Sequence, residues 1–209
     1  MVPAGRFITL EGGEGAGKST QARLLADALA GLGLPVLRTR EPGGAPGSEV
    51  LRDLLLRGSI DWSAPAETLL HFAARAEHVE KTIRPALAAG TWVVCDRFYD
   101  STMAYQGYGQ DADRNAIATL IALVGIVPDV TLVLDVSESV AVARQLARGT
   151  ADTDRYERLD ALFHARVNQG FRDIAAASPE RCVLIAADGS QEEVHAATMH
   201  ALRARLALP

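Results

Sequence analysis

Residues 12–19 read Gly-Gly-Glu-Gly-Ala-Gly-Lys-Ser, which fits the phosphate-holding pattern G-x-x-x-x-G-K-[ST]. Glycines let successive backbone N–H groups turn inward around phosphate oxygens, and a helix starting at the end of such a loop adds partial positive charge. Residues Gly12, Gly13, Glu14, Gly15, Ala16, Gly17, Lys18, Ser19 and Thr20 are therefore the candidate site for a nucleoside triphosphate. Lys18 would bridge its terminal phosphates, and the Ser19 hydroxyl would hold Mg²⁺. Of the 21 basic residues only Lys18 and Lys81 are lysines, and one of them falls where a compact ammonium fits the cradle. If the donor is a triphosphate, an anionic acceptor must be gripped by arginines near the loop. Arg40, Arg52, Arg75 and Arg97 lie at strand ends or just beyond. Asp96 closes a buried strand, from which a carboxylate can reach the Mg²⁺ shell.

The surrounding pattern must place these groups together. Five short, nearly continuous apolar runs are expected as buried strands at 7–11, 35–40, 91–96, 130–136 and 182–186. Helices are expected at about 18–32, 48–57, 65–89, 112–125, 137–148, 157–177 and 190–206. Strand–helix alternation implies an α/β fold, a five-stranded parallel sheet flanked by helices, with ligands at the carboxyl ends of the strands. The loop follows the first strand and opens the first helix, the context that the phosphate-loop pattern requires.

Composition narrows the function. The 209 residues carry a net charge of -5 and are 48% hydrophobic, which suits one domain with a full core, spanning 1–209. An acidic chain lacks the basic surplus of a nucleic-acid binder, so no nucleic-acid partner is expected. The N-terminal MVPAGRFITLEG has no apolar stretch of signal-peptide length, and no segment is long and apolar enough for a membrane span; no membrane partner and a cytoplasmic location are expected. Cys95 and Cys182 sit in apolar runs and are expected as buried thiols. No G-x-G-x-x-G can be drawn through residues 12–20, and no Asn-Lys-x-Asp base-reading motif of a GTPase exists. One domain of this size leaves no room for the appended machinery of a motor. Phosphoryl transfer between small molecules remains.

At this point the sequence resembles the thymidylate kinase family of bacterial type. The motifs are G-G-E-G-A-G-K-S (12–19), R-E-P-G-G (40–44), F-A-A-R (72–75), P-A-L-A-A-G-T-W-V-V-C-D-R (85–97), A-Y-Q-G (104–107), P-D-V-T-L-V-L-D-V (128–136) and D-R-Y-E (154–157). They cover nearly the whole chain in order. The resemblance implies a P-loop NTPase-type three-layer fold with a short lid at about 144–157, and transfer of the γ-phosphoryl of MgATP to dTMP. It implies that Glu14 faces the acceptor sugar and that Arg97 and Arg52 grip the acceptor phosphate. Arg75 donates to the thymine carbonyl, and Thr102, Tyr105 and Gln106 line base and sugar. Tyr105, near the 2′ carbon, would exclude a ribose hydroxyl. Lys18, Arg97 and Asp96 are the expected catalytic groups, joined by Arg148 or Arg155 from the lid, because the loop itself holds no arginine. The metal is expected on Ser19 and Asp96. A homodimer is also implied.

One position departs from the family. Where a Phe usually stacks on thymine this chain has His71, followed by Phe72. Neighbours on a helix point about 100° apart, so only one can occupy the stacking site. Two other functions stay open at this stage: a kinase for a different nucleotide or nucleoside, and a non-catalytic ATP-binding regulator. The second would not need the acceptor-side arginines or Glu14.

Overall fold

The computed structural model describes residues 5–57, 60–148, 155–156 and 159–208, with the backbone alone at 148. Five parallel strands, β1 (Phe7–Glu11), β2 (Val36–Arg40), β3 (Trp92–Asp96), β4 (Val130–Asp135) and β5 (Cys182–Ala186), pair in the order β2-β3-β1-β4-β5. Side chains alternate between the faces of a strand, and a parallel sheet must cover both. Ile8 and Leu10 of β1 pack on one face with Leu25 and Leu29 of α1 (Lys18–Gly31) and Leu202 of α9 (Gln191–Arg205). Phe7, Val93 and Cys95 face the other side, under Phe72, Ile83 and Ile117. Beside them, Val133 and Cys182 meet Phe163, Val167 and Phe171 of α8 (Ala161–Ala177). This is the expected three-layer α/β architecture.

The strands agree with the sequence expectation to within one residue. The helix expected over 65–89 is instead α3 (Ala64–His78), a π turn at Val79–Ile83, and α4 (Arg84–Ala88). Pro85 has no N–H to give, and the wider π turn just before it absorbs the break in the ladder. A helix not foreseen from sequence is α5 (Tyr99–Thr102), which runs on as a π-helical segment, Met103–Gly109. Its glycines and aromatics are weak helix formers. It exists because it packs on α8 so closely that a Cβ at Gly109 would lie 2.5 Å from the Phe163 ring.

Of the remaining helices, α2 (Pro46–Leu56) and α7 (Glu138–Arg148) flank the phosphate loop's neighbourhood, while α6 (Arg114–Val124) is capped by Asp113. α8 begins at Ala161 rather than 157, because the Asp160 side chain accepts from the Phe163 N–H at 2.7 Å and caps it there. Both cysteines are buried and free, and burial pushes the Cys95 thiol up. No helix among the described residues is long and apolar enough to cross a membrane.

Candidate active site

β1 lies between β3 and β4, so its carboxyl end opens at the point where chain crossovers diverge, the place where sheets of this class bind ligands. The phosphate loop leaves β1 there. Gly12 has φ 136° and Gly15 φ 73°. A Cβ at these positions would lie 2.4 Å from the Leu134 carbonyl oxygen and 2.6 Å from that of Ala141, so only glycine is accommodated. Lys18 opens α1, is buried, and donates to the Gly13 carbonyl at 2.6 Å. Burial, then the positive Arg97, pull its ammonium down to about 8, against the pull of Glu14, Asp96 and Glu11. Ser19 is exposed, and its hydroxyl donates to Asp96 Oδ2 at 2.5 Å. The other carboxylate oxygen, Oδ1, is buried and has no hydrogen-bond partner among the described residues.

Arg97 follows β3 with φ 69°, a left-handed conformation that costs a non-glycine residue of order 1–3 kcal/mol and is found where function demands it. What fixes it is buried beneath. Glu11, the last residue of β1, accepts from the Phe98 N–H at 2.7 Å and the Ser101 hydroxyl at 2.6 Å. Burial, then the Asp100 charge, raise the Glu11 carboxyl to about 8. From this turn the Arg97 guanidinium donates to the Gly12 carbonyl and Ser101 hydroxyl at 3.3 Å, to Glu14 Oε1 at 2.5 Å and to the Tyr105 hydroxyl at 3.1 Å. Tyr105 in turn donates to Glu14 Oε1 at 2.6 Å.

Burial alone would raise the Glu14 carboxyl, but Arg97, Lys18 and the Tyr105 hydroxyl outweigh it and hold the group down, at about 2. A carboxylate whose folded value lies below its unfolded 4.5 adds stability above that pH and loses it as pH falls through about 4.5 to 2. Glu14→Gln is therefore expected to flatten the fall in unfolding free energy across this window, by at most about 3 kcal/mol. Chemical denaturation of both proteins at pH 6 and pH 3 checks this; equal falls would assign the acid sensitivity to other carboxylates.

Beyond Arg97 the cavity continues to α3. Arg75 is buried and donates to Glu41 Oε2 at 2.7 Å, the Phe98 carbonyl at 3.1 Å and Thr102 Oγ1 at 3.2 Å. Its Nη1 is buried without a hydrogen-bond partner among the described residues. Glu41 also accepts from His78 Nδ1 at 3.0 Å. Arg52, on α2, donates to the Pro42 carbonyl at 2.6 Å. His71 meets the Tyr156 hydroxyl through Nε2 at 2.9 Å. One cavity of about 710 Å³ joins the phosphate loop from Glu14 to Thr20 with Asp96, Arg97, Arg52, Arg75, Thr102, Tyr105, Gln106 and His71.

Comparison with known proteins places the chain in a family. The family sequence pattern described as Thymidylate kinase matches residues 10–198. The chain belongs to the thymidylate kinase family. It is 55% identical to the thymidylate kinase of Rhizorhabdus wittichii, over 95% of this chain and 97% of that protein. It is 51% identical to that of Gluconobacter oxydans, over 99% and 98%. The crystal structure of thymidylate kinase from Ehrlichia chaffeensis superposes with a TM-score of 0.78 at 38% identity, covering 96% of this chain and 99% of that one.

Most positions expected from resemblance to the thymidylate kinase family converge on the cavity. Gly12 and Gly13 stand behind it, their carbonyls accepting from Arg97 and Lys18. Phe72 does not line it. It faces the core beside Phe98 and Ile83, with the Arg75 guanidinium 4.7 Å from its ring centre, so of the two adjacent side chains it is His71 that points into the cavity. Arg155 is engaged away from the phosphate loop: its Nη1 lies 2.9 Å from Glu67 Oε2 and its Nη2 3.7 Å from Asp61 Oδ1. The reason is that the fully buried Glu67 carboxylate needs a cation. The Arg148 side chain and lid residues 149–154 and 157 lie outside the described residues.

Two residues contribute to the site more than their sequence signal suggests. Arg144, placed in the expected lid without a role of its own, reaches over the loop to the Gly15 carbonyl at 3.4 Å and to that of Gly189 at 2.8 Å. Glu41 orients Arg75. Its signal was present in R-E-P-G-G, where only the arginine was singled out.

Proposed function

We propose that this chain transfers the γ-phosphoryl group of ATP to the 5′-phosphate of dTMP, giving dTDP for dTTP synthesis. The observation that carries this is one continuous cavity running from the Lys18 loop through Arg97 to Arg75, whose Nη1 has no hydrogen-bond partner among the described residues. Both substrates are anions, and the acceptor phosphate is already ionised, so no general base is needed. What is required is to neutralise repulsion and align donor and acceptor oxygens. Lys18, now resting on the Gly13 carbonyl, turns to the terminal phosphates, and loop N–H groups cradle them. Arg97 and Arg52 hold the acceptor phosphate, and Glu14 takes a hydroxyl of its sugar. His71 offers a neutral ring to the base, and Arg75 Nη1 donates to its carbonyl. Tyr105, beside Glu14, fills the space a ribose 2′-hydroxyl would need.

Mg²⁺ fits the residues present: the Ser19 hydroxyl and the Asp96 carboxylate are hard oxygen donors, and Asp96 Oδ1 lacks a partner among the described residues. When bound with ATP it would shield phosphoryl oxygens. Arg144 lies nearest the donor side, with Arg148 the remaining lid candidate for charge stabilisation. We place the enzyme in the cytoplasm, on the lack of an apolar stretch of signal-peptide length in MVPAGRFITLEG, and as a homodimer, on the family resemblance.

An ADP-release assay with MgATP and dTMP, dUMP, dCMP, dGMP or thymidine tests the reading. Turnover is expected to be highest with dTMP. Preference for another acceptor would redirect the assignment within the kinases, and ATP binding without transfer to any of them would favour a regulator.

A further inference from the structure

The base end of the cavity rests on a carboxylate to which phosphoryl transfer gives no role. Glu67, on α3, is fully buried. Its Oε1 accepts three hydrogen bonds, from Gln106 Nε2 at 2.7 Å, Gln110 Nε2 at 2.8 Å and the Tyr156 hydroxyl at 2.7 Å. Its Oε2 lies 2.9 Å from Arg155 Nη1. A carboxylate this deep is tolerated only with such compensation.

Counting hydrogens fixes what the neighbours turn towards the cavity. Glu67 faces donors only, so the Gln106 atom against it must be the NH₂ group, which decides the amide orientation. The same nitrogen also donates to Tyr156 at 3.1 Å. Gln106 lines the cavity and is left with its carbonyl oxygen for a ligand. Tyr156 has one hydroxyl hydrogen and gives it to Glu67. The contact of 2.9 Å between His71 Nε2 and that hydroxyl is therefore donated by the imidazole, leaving Nδ1 as a bare acceptor. Burial, then the charges of Arg75, Arg155 and Arg97, hold His71 down at about 3, so the ring carries a single hydrogen near neutrality.

We infer that Glu67 is a positioning residue for base selection: by holding Gln106 through its nitrogen, it makes the cavity present a carbonyl acceptor beside the Arg75 donor. This rests on the cavity being the dTMP site. The pair complements a pyrimidine that carries N3–H and O4. Thymine and uracil have that pattern, whereas cytosine sets an acceptor against the Gln106 carbonyl and an amino group against Arg75. Two carboxylates thus share the orientation of the pocket, Glu41 aiming the donor and Glu67 the acceptor. Without Glu67 nothing decides which end of the Gln106 amide faces the base.

The test compares Glu67→Leu with Glu67→Gln. Glutamine keeps an oxygen that can accept from the same donors, and it sets an NH₂ group instead of an acceptor against Arg155, so the ion pair is lost. Leucine removes the acceptor. Both are expected to lose stability. Only Glu67→Leu is expected to reduce the ratio of kcat/KM for dTMP over dCMP, by about ten- to a hundredfold, mainly through a higher KM for dTMP and with KM for MgATP unchanged. A folded Glu67→Leu that keeps the parent ratio, or a Glu67→Gln that loses it equally, overturns the inference while leaving the dTMP assignment intact. A parent enzyme without preference for dTMP over dCMP overturns both. Should Glu67→Leu not fold, ¹⁵N spectra of the parent decide from the Gln106 side-chain amide, assigned by its loss in Gln106→Met. Hydrogens that exchange slowly with water, as an NH₂ group held on Glu67 requires, are the expected result, and hydrogens that exchange freely from the cavity overturn the inference.

Discussion

Replacing Lys18 with methionine is expected to lower kcat, at saturating dTMP and MgATP, by about a thousandfold or more, with little change in melting temperature. The two parts of this expectation have separate causes. Turnover falls because the ammonium is the cation at the mouth of the phosphate loop, where charge on the transferring group must be neutralised in a site largely shielded from water. Stability holds because the charge is an unfavourable passenger of the fold. Burial and Arg97 pull its folded value down to about 8 from 10.5, so the charged form opposes folding at every pH below about 8, and the penalty fades as pH rises through about 10.5. Methionine removes that penalty and one hydrogen bond to Gly13 while keeping the stem packed. Steady-state kinetics and thermal denaturation of the same preparation check both halves. Full turnover would remove Lys18 from the chemistry, and loss of the fold would make it structural.

Arg97 is expected to behave differently. Arg97→Met should lower kcat/KM for dTMP by about a thousandfold and also destabilise the protein by about 3 kcal/mol. Glu14 is almost buried against this guanidinium, and removing the cation strands the carboxylate with Tyr105 and the more distant Lys18. The double variant Glu14→Gln, Arg97→Met should recover most of the stability and none of the activity, since it removes the stranded charge but not the need to hold the acceptor phosphate. Arg97→Lys keeps a charge without the planar fork that reaches Gly12, Ser101, Glu14 and Tyr105 together; it should recover part of the stability and little of the rate. Urea denaturation and initial-rate kinetics on the four proteins separate these terms. Equal stability of Arg97→Met and the parent would mean that Glu14 finds another partner.

The contrast between Lys18 and Arg97 shows where local sequence suffices. The phosphate loop was legible because its chemistry is carried by consecutive backbone N–H groups and by a lysine and a serine at fixed offsets; only the glycine spacing and a following helix are required. The strands were legible for a similar reason, since a strand buried on both faces is apolar throughout. Asp96 and Arg97 could be singled out because they end such a strand next to the loop.

Where side chains must converge from distant segments, local spacing places none of them, and Arg52, Arg75, Thr102, Tyr105 and Gln106 are brought together in the reading only by resemblance to the thymidylate kinase family. Nothing local distinguishes Glu67 from a solvated helix carboxylate; its donors Gln106 and Tyr156 come from positions 39 and 89 residues away. Whether His71 or Phe72 lines the cavity follows from how α3 is rotated against the sheet, which the packing of Phe72 beside Phe98 and Ile83 decides. Arg155 looked like a phosphate ligand by charge and position, yet a buried carboxylate elsewhere claims it, because desolvating Glu67 unpaired would cost more than an exposed arginine gains in water. The chain's own order of residues thus determined the sheet, the phosphate loop and the strand-end charges, all of which depend on short-range spacing. Tertiary packing decided how the side chains at the far end of the cavity are turned, because a surface assembled across the fold is set by which buried groups must satisfy one another.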